Sequence, residues 1–231
     1  MSDFFDIRLR FARREPAIWL AHLDMMRTFE RSIRRANLPI NWSQGFNPRP
    51  QMTFALPIGV GMATEDDYLD IQLVEDLAPA EVMARLNPCL PAGLEILAAG
   101  SVATTKISLM SLVQAADYRL QSSGLAEAVA RIANTQPLIV EKFSKGRTID
   151  VDIRPLIINL NIVAADELVI RVKAGSTANL RPDLFLKALE VYGDLPALAA
   201  ADCAITRLGL LIDAPEDPSG FSSPLAINRP A

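Results

Sequence analysis

The chain has one histidine, His22, and two cysteines, Cys89 and Cys203, in 231 residues. The cysteines lie far apart, with no CxxC spacing and no metal-ligand companions near either one. That supply argues against a zinc site or an iron–sulfur cluster built by this chain alone. Two free thiols suit a reducing cytoplasm. No apolar run approaches the roughly 18 residues that a membrane helix needs. The N-terminal stretch has no secretion-signal pattern, because Asp6, Arg8 and Arg10 interrupt Phe5–Phe11. There is no Walker loop, GxGxxG, HExxH or nucleophile elbow. The expectation is a cytoplasmic protein with no membrane segment, no metal of its own and no recognisable catalytic signature.

What is present is enough chain to bury a core in one large domain or two small ones. The net charge of −4 is mild and argues against a general nucleic-acid coat. It is also uneven. Residues 1–50 hold nine arginines against five acids, a local +4, which leaves −8 on the remainder. A basic N-terminal region on an acidic body fits a local anionic partner, although arginines covering an exposed helix face would give the same count.

Phe5, Ile7, Leu9 and Phe11 alternate with Asp6, Arg8 and Arg10, the pattern of a half-buried strand. The chain turns at Arg13–Pro16, and a helix is expected from about Ile18 to Ala36. His22, Met26, Phe29 and Ile33 form its apolar stripe; Asp24, Arg27, Arg31, Arg34 and Arg35 lie on the opposite face. A polar loop, 42–50, leads to a short strand at 51–55. A second alternating strand at 69–73, a helix from Pro79 and a strand at 93–99 complete a βαββαβ order.

Residues 101–116 are expected to connect two halves. The second half repeats the order: a strand at 118–121, a helix at 124–134 and a hairpin around residues 144–147. Strands near 156–162 and 168–172 follow, then a helix at 180–192 with Gly193 as its C-cap, and a closing strand at 204–212. The fold expected is therefore α+β: tandem ferredoxin-like (βαββαβ) halves, 1–100 and 117–212, with antiparallel sheets and helices packed on one face. The proline-rich segment 213–231 is expected to be a mobile tail.

Several residues are candidates for a site, and each also has an ordinary structural role. His22 is a weak candidate acid or base, because helical register places it on the packed side. Asp24 could orient Arg27 towards an anion or simply form an i,i+3 pair with it. Arg27, Arg31 and Arg35 present guanidinium forks suited to phosphate or carboxylate. In the loop, Ser43, Gln44 and Asn47 offer uncharged hydrogen bonds, Gly45 permits a positive φ, Phe46 needs a pocket or a partner, and Arg49 adds charge. Arg181 and Asp183 open the helix of the second half, where an anion could bind, although Pro182 and Asp183 are also good first-turn residues. Asp152 and Arg154, in a preceding strand, are candidates to pair with that segment.

The segments at 21–40, 42–61, 67–73, 149–157 and 175–189 carry a resemblance. AHLDMMRTFERSIRRANLPI, WSQGFNPRPQMTFALPIGVG, DYLDIQL, IDVDIRPLI and GSTANLRPDLFLKAL together resemble the bacterial radical SAM-linked proteins, the domain of unknown function DUF2344. The resemblance spans about residues 5–212. The family's HLD segment falls on His22, Leu23 and Asp24, its helix arginine on Arg27, and its Glu-Arg on Glu30 and Arg31. Its SQGFNP loop falls on Ser43 to Pro48 and its LRPD loop on Leu180 to Asp183. The chain departs from the family at Ala21, where members usually have Ser, and at Arg49 and Gln51, where they often have His and Lys.

Such proteins are encoded beside a radical SAM enzyme or fused to its C-terminal end. The resemblance thus implies a radical SAM enzyme as partner, in some cases cobalamin-binding. The iron–sulfur cluster and SAM would sit on that partner, and this chain would bind no cofactor. A neighbourhood link to a ribonuclease of the E/G type implies RNA or a ribosome-associated substrate. The chain would then be a non-catalytic accessory module. The alternatives are a stand-alone RNA-binding or RNA-processing protein with His22 as acid or base, and a small-molecule domain with a deep pocket.

Overall fold

The computed structural model describes residues 4–102, 107–144 and 146–226. Residues 103–106 of the expected connection, Lys145 of the expected hairpin and residues 227–231 of the expected tail lie outside the described residues. The protein is α+β, with mostly antiparallel strands and a few helices. It divides into two compact units, Met1–Val113 with Gly209–Ala231, and Gln114–Leu208.

The first unit runs β1 (Phe5–Arg13), α1 (His22–Arg35), β2 (Met52–Phe54), β3 (Ala63–Leu73), α2 (Pro79–Leu86), β4 (Leu94–Val102) and the short α3 (Leu109–Leu112). Its strand order is β4-β1-β3, with β2 on the far side of β3, and the β1–β3, β1–β4 and β2–β3 pairings are antiparallel. The alternation that marks β1 sorts its two faces. Ile7, Leu9 and Phe11 join Met25, Phe29 and Ile33 of α1, Val82 and Leu86 of α2, and Leu69 and Ile71 of β3 in one core. Phe11, Phe29 and Phe54 meet edge to face, with centroids 5.2 to 6.0 Å apart. Such contacts stabilise by about 0.5–1.5 kcal/mol each beyond the area they bury.

The helix expected from Ile18 begins only at His22; a 3-10 turn, Ala17–Trp19, precedes it. Arg13 accounts for the break. It is 1% exposed, and its guanidinium donates to the carbonyls of Ile18, Leu20, Gly59 and Met62. A helix running through 18–24 would spend the Ile18 and Leu20 carbonyls on its own ladder. Here they face Arg13, and Ile18 also accepts from Gly61 N–H at 2.8 Å.

The second unit runs β5 (Val113–Gln121), α4 (Leu125–Ile132), β6 (Ile139–Ser144), β7 (Arg147–Asp152), β8 (Ile157–Ala164), β9 (Glu167–Lys173), α5 (Pro182–Gly193), α6 (Ala197–Ala201) and β10 (Ala204–Asp213). Its order is β5-β9-β8, antiparallel, and β6-β7 forms a separate two-stranded hairpin. β5 starts at Val113, five residues before the strand expected at 118. After Val113 its first part, Gln-Ala-Ala, has little β-propensity of its own; pairing of Ala115 with Lys173 and Ala116 with Val172 extends the strand. Gly193 is the last residue of α5, and the left-handed C-cap is Asp194, with φ +53°. Gly193 answers instead to close packing, since a Cβ there would lie 2.7 Å from the Ala128 carbonyl oxygen of α4.

From Gly209 the chain returns to the first unit. In the segment expected to be a mobile tail, β11 (Phe221–Ser222) pairs with β10. The following residues cover the polar face of β1 and β3. Arg8, 4% exposed, forms a bidentate pair with Asp70 (2.7 and 2.8 Å) and donates to the Pro224 carbonyl at 2.7 Å. The Tyr68 hydroxyl, on the same face, meets the Ser223 hydroxyl at 2.8 Å. Burial outweighs the guanidinium at Asp70 and leaves its carboxyl above the usual range.

Two outcomes follow. Lysine cannot reproduce a five-donor fork, so Arg13→Lys should lower unfolding free energy by about 2–4 kcal/mol in urea melts, because carbonyls lose their donor in a buried site. The Tyr68 phenol is pushed up by burial and by the Asp66 carboxylate. A folded-state pKa above the unfolded value near 10 means stability is kept below about pH 10 and lost as pH rises beyond it. Tyr68→Phe should therefore flatten the alkaline loss of stability by about 1.4 kcal/mol per pH unit above pH 10. At neutral pH it should cost about 1 kcal/mol through the lost Ser223 bond.

Candidate functional site

α1 starts without a side-chain cap. Ala21 has the extended backbone of an N-cap (φ −68°, ψ 160°) but no oxygen to offer. His22 follows, half-buried, its ring edge-on to Phe54 with centroids 5.5 Å apart. The buried side of the helix is Met25, Thr28, Phe29, Ser32 and Ile33. Asp24, Arg27, Arg31, Arg34 and Arg35 are all exposed.

The arginines do different things. Arg27 pairs with Asp24 at 3.3 Å in a solvated i,i+3 contact. Arg34 pairs with Glu30 at 3.0 Å and lies over the Trp42 ring, 4.3 Å from its centroid. Arg35 reaches along the helix to Ser32 Oγ (3.3 Å) and the Cys89 carbonyl. Arg31 has no ion-pair or hydrogen-bond partner among the described residues. It lines, with Arg35 and Thr28, a cleft of about 360 Å³ whose other walls include Pro16, Leu20 and Pro91. Two guanidinium groups over a partly apolar floor suit an anionic group on an apolar or aromatic body.

The wall is fixed by a close backbone approach. Gly93, at φ +85°, accepts from Arg14 N–H at 2.7 Å, and a Cβ there would lie 2.5 Å from the Arg14 carbonyl oxygen and 2.9 Å from Ala17 N. Neither proline-flanked segment, 15–17 or 91–93, carries a sequence signal for this; only the fold brings them to Arg31.

The 42–50 loop is a closed excursion from the end of β3. Asn41 bonds Gln72 through backbone (2.7 Å) and side chain (2.6 Å), and Trp42 bridges Pro50. Ser43 closes the mouth: its N–H donates to Arg49 O at 2.8 Å, and its Oγ accepts from Arg49 N–H at 2.9 Å. Gly45 takes φ +138° with nothing near the place of a Cβ, so its role is conformational. Gln44 to Arg49 are exposed, and Phe46 is fully so, at 106%. Phe46 therefore packs into no core and stands free at the tip of a pinned loop.

Arg181 and Asp183 belong to the second unit. They form a solvated pair with each other at 2.7 Å at the start of α5. Asp152 and Arg154 do not join them. The Asp152 carboxylate accepts from the Leu138 and Arg154 backbone N–H groups, both at 3.0 Å, and the Arg154 guanidinium donates to the Ala133 carbonyl at 2.8 Å. Among the described residues no group of three or more His, Cys, Asp or Glu could hold a metal, and no helix is long and apolar enough to cross a membrane.

A family model described as "Uncharacterized protein conserved in bacteria (DUF2344)" matches residues 6–182. The chain belongs to that family. The DUF2344 match covers α1, the cleft and the 42–50 loop, and it ends at the first residue of α5. A search of curated proteins returned no match.

The uncapped start of α1 is testable. Ala21→Ser puts a hydroxyl at an N-cap already in extended geometry, so thermal melts should show a gain of about 1 kcal/mol.

Proposed function

We propose that this DUF2344 protein is a non-catalytic accessory module that presents an RNA substrate to a separate radical SAM enzyme, holding a phosphate under Arg31 and Arg35. The observation that carries the reading is Arg31, an exposed fork with no partner among the described residues, facing a cleft beside a second guanidinium. Exposed Phe46 supplies what phosphate contacts lack, a face on which a base can stack. Gln44 and Asn47, on either side of it and exposed, can bond base edges. Iron–sulfur and SAM chemistry would belong to the partner enzyme.

Each unit is read here as a ferredoxin-like half. β1-α1-β2-β3-α2-β4 with strand order β4-β1-β3-β2 supports that for the first unit. In the second, β5-α4-β8-β9-α5-β10 supports it, with the β6-β7 hairpin as an insertion. The surroundings of His22 favour a packing role over proton transfer, since its ring lies against Phe54.

Fluorescence anisotropy with single-stranded RNA tests the reading. Arg31→Ala should weaken binding about tenfold and lower the salt slope by about 0.7, the share of one phosphate contact. Phe46→Ala should cost about 1–3 kcal/mol with the salt slope unchanged. Equal affinity for wild type and Arg31→Ala sinks the RNA role. Capture from native lysate that returns no radical SAM enzyme sinks the accessory role.

A further inference from the structure

β8 closes the strand order of the second unit: one edge pairs with β9, and the other pairs with no strand among the described residues. Free edges display unpaired N–H and C=O groups, and proteins usually blunt them with charge, proline, bulges or a covering element. Ile157–Ala164 contains no charged residue, no proline and no glycine. Six of its eight residues are exposed, among them Ile158, Ile162 and Val163 at 41, 44 and 54%. Register shifts at Ile157/Asn159 and Ile162/Ala164 bracket a regular stretch, Asn159–Ile162.

The sequence of this edge reads nearly the same in both directions about Leu160: Ile157-Ile158-Asn159-Leu160-Asn161-Ile162-Val163. Consider two such strands run antiparallel about a two-fold axis through Leu160. Within the regular stretch Asn159 meets Asn161 and Leu160 meets itself; at its margins Ile158 comes beside Ile162 and Ile157 beside Val163. Every pair then joins like with like. Branched alkyl groups pack across the strands, and each amide finds a group that both donates and accepts. A slip of one residue either way sets asparagine against leucine or isoleucine, so the register is specified. Arg154 and Asp166 stand six residues to either side of Leu160. Antiparallel pairing therefore brings the basic end of one strand towards the acidic end of the other.

We infer that the β8 edge is the interface of a two-fold homodimer, in which two copies of this chain join their second-unit sheets through Ile157–Val163. An isologous contact requires self-complementarity, and a palindrome on a free edge supplies it. A foreign extended peptide would place no such requirement on the strand. The inference does not depend on the RNA-presenting role.

Sedimentation velocity of the full chain across about 1–100 μM, the range in which a modest interface is half assembled, tests it. Wild type should show a concentration-dependent dimer. Asn159→Lys with Asn161→Lys sets lysine opposite lysine twice and should raise the dimer Kd by at least about tenfold. Asn159→Glu with Asn161→Lys sets glutamate opposite lysine in both pairs and should restore the dimer. Both positions are exposed, and matched circular dichroism and melting curves establish that the variants fold. A monomeric wild type, an unchanged Kd in the double-lysine variant, or a charge-swapped variant as weak as the double-lysine one would each overturn the inference.

Discussion

The buried guanidinium of Arg13 is the constraint on which the N-terminal unit depends. A charge 1% exposed is costly unless its donors are all spent. Arg13 spends them on carbonyls of the turn at 18–20 and the turn at 59–62. Those turns thereby lose their freedom. The first sets where α1 starts, and so which helical angle Arg31 occupies. It also presents Ala17 and Leu20 as a wall of the cleft. The cleft is thus a by-product of satisfying one charge at the end of β1, with Gly93 permitting the backbones to meet on the other side.

The periodic parts of this fold were legible in the sequence. Strict alternation marks β1 because one of its faces is aromatic and aliphatic and the other carries Arg8 and Arg10. A stripe at spacings of three and four marks α1, and the structure only moves its centre from Met26 to Met25. Illegible were features decided by distant partners. Nothing local at Ile18 says that its carbonyl is promised to Arg13. Nothing in Gln-Ala-Ala, 114–116, says strand until β9 lies beside it. The prolines after Asp213 suggested motion, because composition cannot report that Pro224 O and Ser223 Oγ meet Arg8 and Tyr68.

The two units solve one electrostatic problem in mirror fashion. On β1 and β3, Arg8 faces Asp70; on β5 and β9, Asp117 faces Arg171, with two 2.8 Å bonds. Each pair links the first strand of its unit to the neighbour across the ladder, with the signs exchanged. The cross-strand pair is kept while the sign of each partner is exchanged, because an opposite-charge pair stabilises the ladder in either orientation.

The candidate site was legible as a list of residues and illegible as a geometry. A stripe of arginines on a helix reads as a uniform basic face, yet each one's fate depends on what stands three or four residues away or across the fold. Asp24 takes Arg27, Glu30 and Trp42 take Arg34, and the Cys89 carbonyl tethers Arg35. Glu30 acts as a sorter, since neutralising Arg34 leaves the charge of α1 concentrated at Arg31 and Arg35 over the cleft. A face of four equal arginines would attract any polyanion through a broad field. One fork without a partner among the described residues, beside one tethered fork and an apolar wall, is instead suited to a single anionic group.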